Sequence, residues 1–397
     1  MKKSKGKYVV VGGESLGEGT YGCVISSALA DARGVSKCAN FKKQNFKVAK
    51  VFVEFDRAME EYNEAEKLQH IKDIDKYTIL PKGICSFALS ELSTEDKNQL
   101  LADCQNIRNS TIEDYYQFGQ LFYSDRGVTL SSYWRKQSNV DMNVLINHFV
   151  NLSKGINAFV NNRFIHYDIK PTNIIVTDTD STAKFIDFGL SRSFEDFVSK
   201  LGPESAKYPY WPPELYYNIP YAGDYRYIRV NYDREDSANA IKKLKKVFKP
   251  ETQFPDEANL IDSLLLEAEK VIQELPTPKE KDQRFVSEFL RRPGAREPLF
   301  TKQGAISMLA NVYQPMLEKI DVFSLGVTLQ NILDIVKQKE SVRSDVSKMN
   351  QLNRLQEIVQ IATNPNPFER PHPKRLMGMM LSMTGGSKKK LGVKKKK

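Results

Sequence analysis

HYDIKPTNIIV, from His166 to Val176, is followed shortly by FIDFG, from Phe185 to Gly189. The two segments place Asp168, Lys170, Asn173 and Asp187 within 20 positions. Ile174, Ile175, Val176, Phe185 and Ile186 are apolar residues of strand type, so a short hairpin can carry the polar groups at rigid strand ends. A carboxylate to orient a hydroxyl, oxygen ligands for a divalent cation and a positive charge near a moving group are the requirements of phosphoryl transfer.

Towards the N-terminus, SLGEGTYGCV (Ser15 to Val24) fits G-x-G-x-x-G-x-V with Gly17, Gly19, Gly22 and Val24. Glycines let a backbone approach phosphates closely, because no Cβ intervenes. KYVVV before this loop (Lys7 to Val11) reads as a strand, and CVIS after it as a hairpin partner. KVAKVF (Lys47 to Phe52) is a further strand, with Lys50 beside Val48 and Ala49. Apolar residues at three- and four-residue spacing predict a helix over Asp56 to Lys72, which carries Glu60, Glu61, Glu64 and Glu66.

These segments, in this order, resemble the eukaryotic protein kinases. The resemblance covers roughly Tyr8 to Met380 apart from a long insertion, and its motifs are jointly far more specific than any one alone. It implies an α+β, two-lobed kinase-like fold: a small β-rich N-lobe with one major helix and a larger, mainly helical C-lobe. It implies nucleotide contacts from Leu16, Gly17, Glu18, Gly19, Thr20, Tyr21, Gly22, Cys23, Val24, Ala49 and Lys50. Asp168 matches the residue that accepts the substrate hydroxyl proton, and Lys170 the lysine two positions on, as in the serine/threonine type. Asn173 and Asp187 match the metal-holding residues, for Mg²⁺ or Mn²⁺. The glutamate that pairs with Lys50 is expected at Glu64, one turn before Leu68, with Glu61 as runner-up. His166, Phe188 and Leu68 match core residues.

Other segments extend the likeness. WPPE (Trp211 to Glu214) resembles the A-P-E motif, with Pro212 for alanine, and closes an activation segment that starts at Asp187. Tyr210 matches a family tyrosine. DVFSLGVTLQNIL (Asp321 to Leu333) resembles the buried helix whose first aspartate caps it and holds the catalytic loop. Arg370 resembles the arginine that pairs with Glu214. A hinge is expected at Tyr123 to Gly127, where backbone groups would bind adenine. Two departures stand out. Tyr167 replaces the arginine that grips an activation-segment phosphate, and Lys207 replaces a threonine that bonds the catalytic aspartate and lysine. More than one hundred residues separate Glu214 from Asp321. Helical spacing in Ser237–Phe248 and Ala258–Leu275 predicts a helical insert over 215–320, either a subdomain or a docking surface for substrate or partner.

The resulting division is a basic tail (1–7), an N-lobe (8–124), a C-lobe (125–380) and a disordered lysine-rich tail (381–397). The net charge is +10, and subtracting the eleven lysines of the two tails leaves −1 for the body. The basic character therefore belongs to the tails, which suit nucleic acid, an anionic surface or simple solvation. Four widely spaced cysteines (Cys23, Cys38, Cys85, Cys104) suggest a reducing compartment and no zinc site, with Cys23 within reach of a thiol-reactive ligand. No signal peptide and no membrane-spanning run is visible, which implies an intracellular, cytoplasmic or nuclear protein. The compact loop and lysine-rich tail also resemble kinases of large DNA viruses, which would place the chain in host cytoplasm or virion. The first reading is an ATP- and Mg²⁺-dependent kinase acting on protein substrates. The alternatives are a pseudokinase scaffold and a kinase fold acting on a small molecule. The oligomeric state is not legible.

Overall fold

The structure is a computed structural model that describes residues 15–19, 22–25, 46–109, 117–199, 208–216, 263, 266 and 313–384. In chain order its elements are β1 (Ser15–Gly19), β2 (Gly22–Ile25), β3 (Val48–Phe52), α1 (Phe55–Glu66), β4 (Gly83–Phe87), α2 (Thr94–Asp103), α3 (Gln105–Asn109), β5 (Phe118–Tyr123), β6 (Gly127–Thr129), α4 (Leu130–Lys136), α5 (Met142–Asn161), β7 (Phe164–Ile165), β8 (Ile174–Thr177), β9 (Ala183–Phe185), β10 (Arg192–Ser193), α6 (Phe194–Ser199), α7 (Ile320–Lys337), α8 (Glu340–Arg343), α9 (Val346–Ala362) and α10 (Pro373–Met383). The chain divides into a β-rich unit drawn from 1–133 and 172–190, and a mainly helical unit drawn from 134–171 and 191–397. The α+β class with β-rich and helical parts is as expected. The KYVVV strand, the basic tail 1–7 and the two insert helices lie outside the described residues, except for Ser263 and Leu266, which are helical. Residues 385–397 also lie outside them, whereas Leu381, Ser382 and Met383, expected in the disordered tail, belong to α10, with Met383 buried.

In the first unit, five antiparallel strands run in the order β1-β2-β3-β5-β4. Strand alternation divides the side chains of β3 between two faces. Ala49 and Val51 join Cys23, Phe87, Phe118 and Phe122 in one apolar cluster, which Leu100 of α2, Cys104 between the helices and Ile107 of α3 complete. Val48 and Phe52 join Leu121, Tyr123 and Ala58 of α1 in a second cluster. Gly119 of β5 makes that helix contact possible: a Cβ there would lie 2.3 Å from the Ala58 Cβ. Helix α1 ends at Glu66, short of the predicted Lys72. Beyond it the chain closes three-residue turns (Leu68 N to Ala65 O, 3.1 Å; Ile71 N to Leu68 O, 3.0 Å), which bury both Leu68 and Ile71. A three-stranded sheet in the order β6-β8-β9 completes the unit.

A disulfide joins Cys23 of β2 to Cys104 just beyond α2, and no described cysteine is free. This corrects the expectation of reduced thiols: widely spaced cysteines gave no sign that the sheet brings two of them together. Cys23 is also fully buried, so it offers no reactive thiol.

In the second unit the long helix α5 is largely buried, and its N-cap Asp141 accepts hydrogen bonds from the backbone of Asn143 and Val144. Helix α7 is apolar on most of its circumference, with Ile320, Val322, Leu325, Leu329, Ile332 and Leu333 all inside. A helix hydrophobic on most sides belongs in a core. Among the described residues, no helix is long and apolar enough to cross a membrane.

Candidate active site

Each unit assembles one group of the predicted residues. In the β-rich unit, Lys50 projects from β3 on the same side as Val48 and opposite Ala49. Its Nζ contacts Glu61 Oε2 at 2.6 Å and Asp187 Oδ1 at 3.1 Å. Tyr123 at the end of β5 donates its hydroxyl to Glu61 Oε1 at 3.1 Å. The lysine's partner is thus Glu61, the runner-up. Glu64 lies one turn along α1 on a more exposed face, where it pairs with Lys67 at 2.8 Å. Burial alone would lower the Lys50 ammonium, but Glu61 and Asp187 more than offset that and hold it above its ordinary value. Burial pushes the Glu61 carboxyl up to about 6, against the pull of Lys50 and with Asp187 adding to the rise.

β8 and β9 pair with Ile174 opposite Phe185, and the Ile186 N–H donates to the Asn173 carbonyl at 3.0 Å. Asn173 and Asp187 therefore leave the same end of this pair. Asp187 holds a left-handed backbone (φ 65°). Such a conformation costs a non-glycine residue about 1–3 kcal/mol and clusters at functional sites. A carboxylate and an amide are hard oxygen donors, and the described residues contain no cluster of three His, Cys, Asp or Glu. The donor set fits Mg²⁺, which binds through one or two protein oxygens and takes its remaining ligands from water and phosphate.

The glycine-rich stretch forms an antiparallel hairpin, with Glu18 opposite Cys23 and Gly19 opposite Gly22. Leu16, Gly17, Glu18 and Gly19 lie on β1, and Gly22, Cys23 and Val24 on β2. Thr20 and Tyr21 fall outside the described residues. Cys23 and Ala49, expected among the nucleotide contacts, face the apolar cluster under α2 and α3 instead. Val24 lies opposite Lys50 in the register and, like Val48, belongs to the other cluster, which also contains Tyr123. Strand alternation alone would have made this correction.

In the helical unit, Asp321 organises the loop before Asp168. It lies in the first turn of α7 but does not cap it. Its Oδ2 accepts from the His166 N–H at 2.8 Å and its Oδ1 from the Tyr167 N–H at 3.0 Å. Burial pushes this carboxyl up, opposed by His166 and by these two bonds. They hold Tyr167 in a left-handed conformation (φ 69°). Asp168 is nearly buried, and Lys170 Nζ contacts its Oδ2 at 2.8 Å. Tyr208 donates its hydroxyl to Asp168 Oδ1 at 2.9 Å. Lys207, the residue of the missing threonine, lies outside the described residues.

Residues 208–216 are anchored to α7, with Ser324 Oγ donating to the Tyr210 carbonyl and Asn331 Nδ2 to the Tyr210 hydroxyl, both at 2.8 Å. Glu214 meets Arg370 in a bidentate pair, with Nη1 to Oε1 at 2.7 Å and both side chains fully buried. That pairing is as the resemblance implied.

A sequence profile described as the protein kinase domain matches residues 10–225, more than half of the chain. The chain belongs to the protein kinase family. A protein named "Probable serine/threonine-protein kinase" from Clostridium acetobutylicum is 32% identical over 157 residues, 36% of this chain. The match spans 24% of that relative's length. Sequence reasoning ranks Glu61 behind Glu64 and gives no side-chain contact for Tyr123 or Tyr208. Glu61 was ranked second because the turn after α1 breaks the helical spacing used to choose Glu64. Tyr123 is expected at the hinge for its backbone groups; its place at the end of β5 also brings its hydroxyl to Glu61. Tyr208 had no motif to mark it.

Proposed function

We propose that this protein is an ATP- and Mg²⁺-dependent kinase that transfers the γ-phosphoryl group of ATP to serine and threonine hydroxyls of protein substrates. The observation that carries the reading is Lys50, held between Glu61 and Asp187 (2.6 and 3.1 Å). A lysine poised this way is a fixed, fully charged ligand for nucleotide phosphates. Asp187 and Asn173 would hold the magnesium ion, which neutralises phosphate charge when bound. Asp168 accepts the proton of the attacking hydroxyl as the new P–O bond forms. The bond to the β-phosphate oxygen breaks and ADP leaves. Base assistance of this kind contributes about 10²–10⁴ in rate. Lys170 neutralises Asp168 and the incoming charge. Serine/threonine preference is supported by Lys170 and by the relative's name.

The test is transfer of radiolabelled phosphate from ATP to casein or histone by the purified chain, beside Lys50→Met and Asp168→Asn. Label that appears with magnesium and is lost in both variants, on serine and threonine by phosphoamino-acid analysis, supports the reading. No transfer to any acceptor, together with no binding of Mg²⁺–ATP, sinks it.

A further inference from the structure

We propose that Tyr208 is a positioning residue for Asp168, supplying from the activation segment the hydroxyl that position 207 lacks. The inference rests on the kinase reading and names a residue that reading did not require. Both carboxylate oxygens of Asp168 are engaged, Oδ2 by Lys170 Nζ (2.8 Å) and Oδ1 by the Tyr208 hydroxyl (2.9 Å). A carboxylate offers about four lone-pair sites, and bonds to both of its oxygens fix its plane. Lys170 Nζ also lies 5.6 Å from the centre of the Tyr208 ring, so one aromatic residue touches both the base and its lysine.

The hydroxyl can fix Asp168 because Tyr208 is itself fixed. Its backbone N–H donates to the Tyr216 hydroxyl at 2.5 Å, and that hydroxyl donates back to the Tyr208 carbonyl at 2.8 Å. Its ring meets Trp211 edge-on at 5.2 Å and Tyr210 at 5.5 Å. Trp211 in turn donates its Nε1–H to the Tyr167 carbonyl at 2.8 Å, in the residue just before Asp168. Asp168 is therefore held from its own backbone side and from its carboxylate side by the same short aromatic segment. A side chain clamped at backbone, ring and hydroxyl loses little freedom when the reaction begins, which is what catalytic positioning requires.

Steady-state kinetics and thermal melting of the full chain test this, comparing wild type, Tyr208→Phe, Tyr208→Leu, Asp168→Asn and the Asp168→Asn/Tyr208→Phe double variant. Tyr208→Phe keeps the ring and removes only the hydroxyl. The loss of a hydrogen bond to a charged group predicts a kcat lower by about 10- to 100-fold. KM for ATP and melting temperature stay at wild-type values. On the Asp168→Asn background, the same change alters residual transfer less than about twofold, because residues acting as one unit are not additive. Tyr208→Leu also loses ring contacts and melts earlier. Wild-type kcat in Tyr208→Phe overturns the proposal. So do equal losses on both backgrounds, and a melting shift in Tyr208→Phe matching that of Tyr208→Leu. Phosphate found on Tyr208 of the wild type but absent in Asp168→Asn also overturns it, making the residue an acceptor. An inactive wild type is a different result, since the kinase reading itself then falls.

Discussion

Arg370→Met removes a charge that the fold has no means of replacing. In the folded chain all of the guanidinium's edges are used. Nη1 and Nη2 grip Glu214, Nε donates to the Asn364 carbonyl at 2.6 Å, and the Lys319 and Pro365 carbonyls accept at 3.3 and 3.1 Å. Its Cζ lies 5.0 Å from the centre of the Phe323 ring. Methionine fills similar space but leaves the Glu214 carboxylate, which is fully buried, without a countercharge. Breaking one partner of a buried pair typically costs about 3–5 kcal/mol. For a unit of this size each kcal/mol shifts the melting temperature by about 2–4 °C, so a fall of about 6–20 °C is expected. Glu214→Leu in the same chain should recover much of this loss, because a buried pair replaced by apolar groups is often close to neutral. Calorimetric or fluorescence melting of the four proteins in the cycle reads both numbers. An Arg370→Met protein melting within 2 °C of wild type (less than about 1 kcal/mol), or a double variant weaker than the single, would refute the reasoning.

Glu61→Gln should lower kcat/KM for ATP by about 10- to 100-fold, the worth of a hydrogen bond to a charged partner, while Glu64→Gln stays within about twofold; equal effects would contradict the assignment of the lysine's partner. The acid limb of kcat/KM for ATP should lie near pH 6, since Glu61, facing Lys50, Asp187 and Tyr123, titrates at about 6 and loses its charge as pH falls. That limb should vanish in Glu61→Gln, and a pH profile shows whether it does. Cys23 and Cys104 are 81 residues apart, so reduction should cost about 4–5 kcal/mol if closure entropy dominates; melting with and without reductant, after thiol mapping confirms the bond, measures it.

The β-rich and helical parts were legible because each motif combines a chemical residue with the apolar pattern that seats it. Lys50 reads as a site residue because Val48 and Val51 make its segment a strand. Arg370, and Asp321 in its hold on the His166–Tyr167 backbone though not as a cap of α7, read correctly because buried charges need partners, and the motifs named them. The misreadings have a common physical origin. The resemblance carries Ala49 and Cys23 along with the rest of their motifs, yet in a strand neighbouring side chains point to opposite faces. The Cys23–Cys104 disulfide depends on α2 and α3 folding back over the sheet, a long-range contact with no local signal. Tyr208 acts across 40 positions of chain through a single hydroxyl.

Tyr167 bears on regulation. An arginine at that position would need a phosphate to neutralise it, and so would make order in the activation segment conditional. The tyrosine is instead satisfied by packing. Its ring stacks on Trp211 at 4.8 Å, meets Phe197 edge-on at 5.2 Å, and lies 5.6 Å from the Arg192 guanidinium. With the Trp211 Nε1 bond to its carbonyl, the residue is only 2% exposed. Aromatic pairs of this kind are worth about 0.5–1.5 kcal/mol each beyond their buried area, and they are present with no modification at all. Tyrosine also lacks the two-pronged charged grip that holds a phosphate. Activity should therefore stay within about twofold after exhaustive phosphatase treatment, because the contacts that the phosphate would make are already replaced. The assay is transfer to an exogenous protein substrate before and after treatment, with mass spectrometry to map the sites removed. Loss of activity when the only phosphates removed lie between Asp187 and Glu214 would show that the aromatic cluster does not do the phosphate's work.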